Sequence, residues 1–283
     1  MKCIEINGVS KNYGKVCALD NVSVKFEENK IYGLLGRNGA GKSTLLNIIT
    51  NRIFADGGEV RVNGANAYEN DHAQNNIYLM SEQTYYPEGM KIKDVFRWSK
   101  EFYPNFDMIY ANELAQKFKL DTKKKVKGLS TGYSSIFKII VALSVNAPYT
   151  LYDEPILGLD ANHRDLFYKV LLENYEQSPK TIVISTHLIE EVANIIEDII
   201  IIKDGKVLKN EPCHELLSNG YTISGSATLV DNYIVDKNVI GYDILGGLKS
   251  VYILGEIDQP NIPTGLEVTK LDLQKLFIQL TNS

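Results

Sequence analysis

The stretch Gly36-Arg37-Asn38-Gly39-Ala40-Gly41-Lys42-Ser43-Thr44 decides the fold. It matches the phosphate-binding pattern G-x-x-x-x-G-K-[ST]. Before it, Ile31-Tyr32-Gly33-Leu34-Leu35 reads as a short buried strand. After it, Leu45-Leu46-Asn47-Ile48-Ile49 reads as the apolar face of a helix. The motif therefore sits on a strand-to-helix turn, where its mechanism requires it. Its glycines let the backbone fold tightly, with no Cβ to hold off a phosphate. Inward-pointing N–H groups and the positive end of the helix would receive that anion. Lys42 would reach the β- and γ-phosphates, and the Ser43 hydroxyl would ligate Mg²⁺. A chance Gly-rich turn would not bring both flanks with it.

Outward from the loop, the first thirty residues alternate as antiparallel strands, with Ile4 and Ile6 in one and Val22, Val24 and Phe26 in another. A polar turn between them carries one aromatic, Tyr13. Downstream, Asp56-Gly57-Gly58-Glu59 reads as a turn into the strand Val60–Val62, and Ile77–Met80 as a further strand before the loop Ser81–Thr84. From Ile92 to about Leu120 the apolar spacing becomes helical, broken at Pro104. Trp98 lies in this insert and is expected to pack within it. The basic run Lys123–Lys127 is expected to be solvated surface. An apolar helix is expected from Ser134 to Ala147, then a buried strand Thr150–Tyr152 running into Asp153-Glu154-Pro155. Helix (Leu166–Leu172), strand (Thr181–Ser185), helix (Leu188–Ile196) and strand (Ile199–Ile202) follow. Strands alternating with helices argue for a mainly parallel sheet covered on both faces. Composition shifts after Glu211-Pro212. There Thr228-Leu229-Val230 and Ser250–Leu254 read as β-like runs, Gly246-Gly247 as a turn, and Leu271–Leu280 as a closing helix. This is a small α+β appendage.

Composition narrows the classes. A net charge of −5 gives no sign of a general nucleic-acid binder. Cys3, Cys17 and Cys213 are too scattered for a disulfide framework or a zinc site, which suits a reducing compartment. Met1–Glu5 shows no leader pattern, and no run approaches the roughly 20 apolar residues that span a bilayer. Action at a membrane would go through a partner.

Two further strand ends carry chemistry. Leu151-Tyr152-Asp153-Glu154 ends an apolar strand in adjacent carboxylates, which alternation turns in different directions. Asp153 can hold the Mg²⁺ shell while Glu154 faces the attacking water. Ile182–His187 delivers a histidine at the same edge of the sheet.

With these in order, roughly residues 2 to 210 resemble the nucleotide-binding subunit of ABC transporters. The resemblance implies an α/β P-loop NTPase with an antiparallel β subdomain and a helical subdomain at about 84–148. It sets a nucleotide-binding domain at 1–210 and a C-terminal accessory domain at 211–283. Tyr13 matches the adenine-stacking aromatic, and Gly36 to Thr44 matches Walker A. Leu129-Ser130-Thr131-Gly132-Tyr133 resembles the signature. Leu151 to Glu154 matches Walker B with its catalytic glutamate. Gly158-Leu159-Asp160 matches the D-loop and His187 the switch histidine. Two departures stand out. Thr131 and Tyr133 replace a glycine and the glutamine of Leu-Ser-Gly-Gly-Gln. At the Q-loop the family's glutamine falls on Glu82, with Gln83 beside it, so either could approach Mg²⁺.

The resemblance implies an ATPase working with ATP and Mg²⁺. Two chains, identical or related, would pair, with Ser130 and Gly132 completing the other chain's site and Asp160 at the interface. Catalysis would fall to Glu154, His187 and Lys42. A separate membrane permease would hold the subunit at the inner face of the membrane, otherwise cytoplasmic. The single ATPase unit, Ser81-Glu82 and the appendage ending near Leu276-Phe277 look like ABC-2-type exporters of Gram-positive bacteria. They are especially similar to the subfamily that includes acetoin-associated transporter ATPases and exporters of amphipathic cytolytic peptides such as phenol-soluble modulins. Cargo would then be a peptide, antibiotic or lipid-like molecule. Two rivals are a soluble ABC-type ATPase acting on ribosomes or DNA and a non-transporting sensor subunit. The first usually carries twin units or a long coiled-coil insert, and this chain has neither. A GTPase reading lacks its N-K-x-D motif.

Overall fold

The structure is a computed structural model and describes residues 2–257 and 262–282. The chain opens with an antiparallel pair, β1 (Cys3–Tyr13) and β2 (Val16–Glu27). β3 (Ile31–Leu35) leads into α1 (Lys42–Ile49), followed by β4 (Gly57–Val62), β5 (Ala65–Asn66), α2 (Asp71–Gln74) and β6 (Ile77–Met80). Helices α3 (Ile92–Phe102), α4 (Met108–Lys117) and α5 (Thr131–Val145) come next. Then β7 (Tyr149–Asp153), α6 (Ala161–Gln177), β8 (Thr181–Thr186), α7 (Ile189–Val192), β9 (Asp198–Lys203) and β10 (Lys206–Pro212) alternate.

Two sheets come from these elements. The first has the order β2-β1-β4-β5 and is antiparallel; the second has the order β10-β9-β3-β8-β7-β6 and is parallel except at its β10 edge. β3, β7 and β8 are buried along their whole length, as strands covered on both faces must be. The layering is legible in β9. Ile199 and Ile201 join the core beneath α5 and α6, while Ile200 and Ile202 join the core shared with α1 and the antiparallel sheet. A period of two sends successive isoleucines to opposite faces. The central parallel sheet with helices is the α/β P-loop architecture expected.

A third sheet lies C-terminal. α8 (Cys213–Ser218), β11 (Gly220–Ser226), α9 (Ala227–Tyr233), β12 (Val239–Leu245), β13 (Leu248–Leu254), β14 (Glu267–Lys270) and α10 (Leu273–Asn282) form it, with strand order β12-β13-β11-β14. Ile223, Val230, Val251 and Ile253 make a small core of their own. Leu273, Leu276 and Phe277 of α10 instead join the large core that also holds Ile189 and Val192 of α7.

Several local expectations need correction. Thr228-Leu229-Val230 is helical, in α9: Val230 is buried against the third sheet while Leu229 is exposed, a one-sided helical turn. Packing against neighbours outweighed β propensity there. α5 starts at Thr131, three residues before Ser134, because the Ser130 Oγ accepts the Tyr133 N–H and caps it. It stops at Asn146, which is left-handed at φ 52. α6 begins earlier than Leu166, behind the cap Asp160. α7 covers only Ile189–Val192 of the expected Leu188–Ile196. Trp98 does not pack inside the insert: it is 49% exposed, edge-on to the more exposed Phe102, while Val95, Phe96 and Ser99 take the inner face of α3.

Candidate functional site

The C-terminal ends of β3, β7 and β8 lie side by side, since the register pairs Leu35 with Thr186 and Asp153 with Ser185. From β3 the chain turns through the glycine loop into α1. Gly41 is the N-cap, at φ 110, and a Cβ there would collide with the Ala18 carbonyl, so no other residue fits. α1 has no side-chain cap and no acidic residue in its first turn. Its N-terminal N–H groups and dipole are thus left for an anion.

Lys42 lies beneath the loop, nearly buried. Its Nζ donates to the Gly36 carbonyl at 2.7 Å and to the Arg37 carbonyl at 3.3 Å, and stands 3.8 Å from Glu154 Oε1. Burial lowers its pKa, and the Glu154 and Asp153 carboxylates oppose that shift. The ammonium is therefore held in the loop by two backbone carbonyls, neutral acceptors that phosphate oxygens could replace.

Asp153 closes β7 and is also buried. The Ser185 hydroxyl donates to its Oδ1 at 2.9 Å. Burial raises the Asp153 pKa, while hydrogen bonds from Ser43 and Ser185 pull it down. One buried carboxylate beside the Ser43 hydroxyl is a hard-oxygen donor pair suited to Mg²⁺, which takes few protein ligands and completes its shell with water and phosphate. No group of three or more His, Cys, Asp or Glu able to hold a metal occurs among the described residues.

Glu154 leaves the strand in a left-handed conformation, φ 48, with its N–H on the Ser185 carbonyl at 2.9 Å. That twist brings its carboxylate back over the strand ends instead of out along β7. Oε1 meets His187 Nδ1 at 2.9 Å, and Oε2 accepts the Thr186 hydroxyl at 3.1 Å. An ionised carboxylate only accepts, so Nδ1 carries the proton in this pair.

Lys42, Ser43, Asp153, Glu154 and His187 thus converge. Gly36 and Arg37 meet them through the carbonyls that Lys42 contacts, and the other expected residues sit apart. Tyr13 ends β1 half-exposed, with Lys11 Nζ 5.7 Å from its ring centre. Arg37, Asn38, Gly39 and Ala40 border a cavity of about 450 Å³ with Thr281 and Asn282, and Arg37 Nη1 donates to Asn282 Oδ1 at 3.3 Å. Thr44 lies in the first turn of α1. Ser130 is exposed and caps α5. Gly132 has an internal reason to be glycine: a Cβ would stand 2.7 Å from the Gly158 carbonyl, so the start of α5 packs directly on the loop after β7. Asp160 caps α6 by accepting the His163 N–H and faces that ring at 3.0 Å. Among the described residues, no contact joins Ser130, Gly132 or Asp160 to Lys42 or the two carboxylates.

Glu82 and Gln83 are also exposed and away from Asp153 in their contacts. Lys138 Nζ donates to the Glu82 carbonyl at 2.7 Å, and Gln83 Oε1 accepts the Tyr85 hydroxyl at 3.2 Å. Arg52 holds the start of this loop, donating to Ser81 Oγ and the Leu79 carbonyl. Sequence reading overlooked Ser185 and Thr186. The available signal was two hydroxyl residues ending the otherwise aliphatic run Ile182-Val183-Ile184.

A glycine loop at a helix N-terminus, facing a carboxylate pair across the edge of a parallel sheet, defines a P-loop nucleoside triphosphatase. ABC transporter ATP-binding protein YtrB of Bacillus subtilis (strain 168) is 30% identical over 251 residues, 88% of this chain and 86% of its own. A family model described as ABC transporter matches residues 19–157. The chain belongs to the ABC transporter ATP-binding family. It is an ATPase, and its substrate and metal are ATP and Mg²⁺. The Petrobactin import ATP-binding protein YclP of the same organism is 29% identical, over 76% of this chain and 88% of its own. Among solved structures, the dimeric post-hydrolysis state of the ATP-binding cassette MJ0796 bound to ADP and Pi matches with TM-score 0.65 and 26% identity. That match covers 74% of this chain and 98% of the other.

Proposed function

We propose that this chain is the ATP-hydrolysing half of a transporter whose second half is a separate membrane permease. Lys42 offsets charge developing on the transferred phosphoryl group, and Ser43 and Asp153 would hold Mg²⁺, which would supply further positive charge there. Glu154 polarises the attacking water, and His187 steadies the γ-phosphate. Tyr13 stacks on adenine. Such positioning and electrostatic effects carry phosphoryl transfer. The observation that carries this reading is the Glu154 carboxylate, turned back by a left-handed backbone and held between His187, Thr186 and Lys42. Glu154→Gln is expected to lower turnover about 100-fold or more while ATP still binds. Near-normal ATPase activity in that variant would remove Glu154 from the mechanism.

Ser130, Gly132 and Asp160 act on the site of a second ATPase chain. Their separation from Lys42 within one chain supports this, as does the dimeric state of the MJ0796 cassette. Trapping of a two-chain, ATP-bound species by Glu154→Gln, measured by light scattering, tests the pairing.

Residues 1–210 form the nucleotide-binding unit, with the helical subdomain at 84–148, and 211–283 form the accessory unit. A cavity of about 340 Å³ between the Ser81–Thr84 loop and α3 suits a cytoplasmic helix of the permease; Arg52, Tyr85 and Lys138 line it. Among the described residues no helix is long and apolar enough to cross a membrane. Attachment at the inner face through that partner is part of the same proposal. Export is the direction we favour. The Ser81-Glu82 loop and the C-terminal appendage, which resemble those of ABC-2-type exporters, support it; relatives named for petrobactin, arabinose and ribose import, matched over 72–76% of this chain, favour the opposite direction. Cargo accumulation in inverted vesicles that carry chain and permease tests it; ATP-driven loss from those vesicles would indicate import.

A further inference from the structure

β8 runs Thr181-Ile182-Val183-Ile184-Ser185-Thr186, with three aliphatic residues between Thr181 and its last two. Each of those hydroxyls reaches one carboxylate at the end of β7. Ser185 donates to Asp153 and Thr186 donates to Glu154. Thr186 is 1% exposed, so bulk water does not compete for its hydroxyl. The Leu188 N–H donates to the same Oγ1 at 3.0 Å. A hydroxyl has a single hydrogen. With Leu188 on a lone pair, that hydrogen is directed at Glu154 Oε2.

We infer that Thr186 is a positioning residue for ATP hydrolysis: its hydroxyl sets the plane of the Glu154 carboxylate, so that Oε1 faces His187 and Lys42. The inference rests on the proposed role of Glu154. The terminal torsion of a glutamate is broad and holds no orientation by itself. The left-handed backbone of Glu154 is equally costly for a side-chain-bearing residue and persists only when its surroundings fix it. Thr186 fixes the side chain as the Ser185 carbonyl fixes the backbone. Through Leu188 it also ties down the turn that carries His187. One oxygen atom thus holds the Glu154 carboxylate and the turn that carries His187 in register. Losing it costs rate through misalignment and leaves the phosphate loop intact.

Four variants test this: Thr186→Val, Thr186→Ser, Glu154→Gln and the Thr186→Val/Glu154→Gln pair. Steady-state ATPase, binding of a fluorescent ATP analogue, thermal midpoint and single-turnover phosphate release are measured on each. Thr186→Val is expected to lower kcat about 10- to 100-fold, with KM and analogue affinity within about twofold. Thr186→Ser is expected to return kcat to within about threefold of the parent. Because Thr186 acts through Glu154, the double variant should release phosphate within about twofold of Glu154→Gln alone. A serine variant as slow as the valine one would mean packing, and would overturn the inference. A loss carried by KM, or losses that multiply in the pair, would do the same. Two failures stay distinguishable. Full activity in Glu154→Gln removes the role of Glu154 and this inference with it. An inactive Glu154→Gln beside a fully active Thr186→Val removes the inference alone.

Discussion

The two edges of the central sheet use the same residue types to opposite ends. At the N-terminal edge a set of polar groups is matched to backbone and side-chain partners in the chain. Lys30 bridges Asp198 and Glu27 at 2.9 and 3.2 Å. The Thr181 hydroxyl donates to the Glu27 carbonyl and accepts the Asn29 N–H. The Tyr32 hydroxyl accepts the Glu27 N–H, and the Tyr175 hydroxyl donates to the Asn29 carbonyl. At the C-terminal edge Lys42 rests on the carbonyls of its own loop, Asp153 is buried at a cost to its charge, and Glu154 stands in a strained backbone. One edge is closed upon itself; the other holds its polar groups in arrangements that a bound nucleotide would improve. That asymmetry separates residues that stabilise from residues that work. It also forecasts different consequences for mutation at each edge.

The largest contrast should come from Lys42→Met. ATPase activity is expected to fall about 100-fold or more, because the main cation facing the phosphates is lost. The thermal midpoint of the nucleotide-free protein should not fall, since burial already works against the lysine charge. A midpoint lower by several degrees would mean that Lys42 braces the loop, and the contrast between the edges would fail there.

At the other edge the signs reverse. Tyr32→Phe removes a hydroxyl from a ring 2% exposed and leaves the Glu27 N–H without its acceptor. An orphaned buried donor costs about 1–3 kcal/mol. The midpoint is expected to drop by about 4 °C, with ATPase activity within about twofold of the parent. A tenfold change in turnover without a change in midpoint would break the comparison from this side.

How far each edge is legible in sequence follows from the range of its contacts. The glycine loop, the Asp153-Glu154 strand end and His187 are local patterns, and they converge because parallel strands end together. Ile199–Ile202 is equally plain, as unbroken apolar runs bounded by charge must be buried. What escaped the sequence is set by distant partners. Thr186 gains its meaning from Glu154, thirty-two residues away. Gly132 is explained by the Gly158 carbonyl as well as by any phosphate. Thr228–Val230 turned helical because only Val230 has a core to enter. The same holds for the loop of Glu82 and Gln83, held by Arg52 from the turn after α1 and by Lys138 from α5.

The finest test of the comparison is a lysine at the stabilising edge. Lys180 immediately precedes β8, is buried, and donates to Asn146 Oδ1 at 3.1 Å, a neutral acceptor. Burial lowers its pKa from 10.5 to about 8. Between those two values the unfolded chain binds more protons than the folded one, so stability rises with pH across that window. Below pH 8 both states are protonated and the full cost of the buried charge is present. Lys180→Met removes that cost together with the bond to Asn146, which offsets part of it. The variant is therefore expected to be more stable than the parent by about 1 kcal/mol at pH 7. The advantage should shrink as pH passes 8 and be largely gone by about 10.5, where the lysine is neutral in the folded state and half deprotonated in the unfolded one. Urea melts at pH 7, 9 and 10.5 measure it. A variant less stable than the parent at pH 7 would mean that the Asn146 bond outweighs the buried charge. This edge would then be closed by its hydrogen bonds even where a cation is sealed inside.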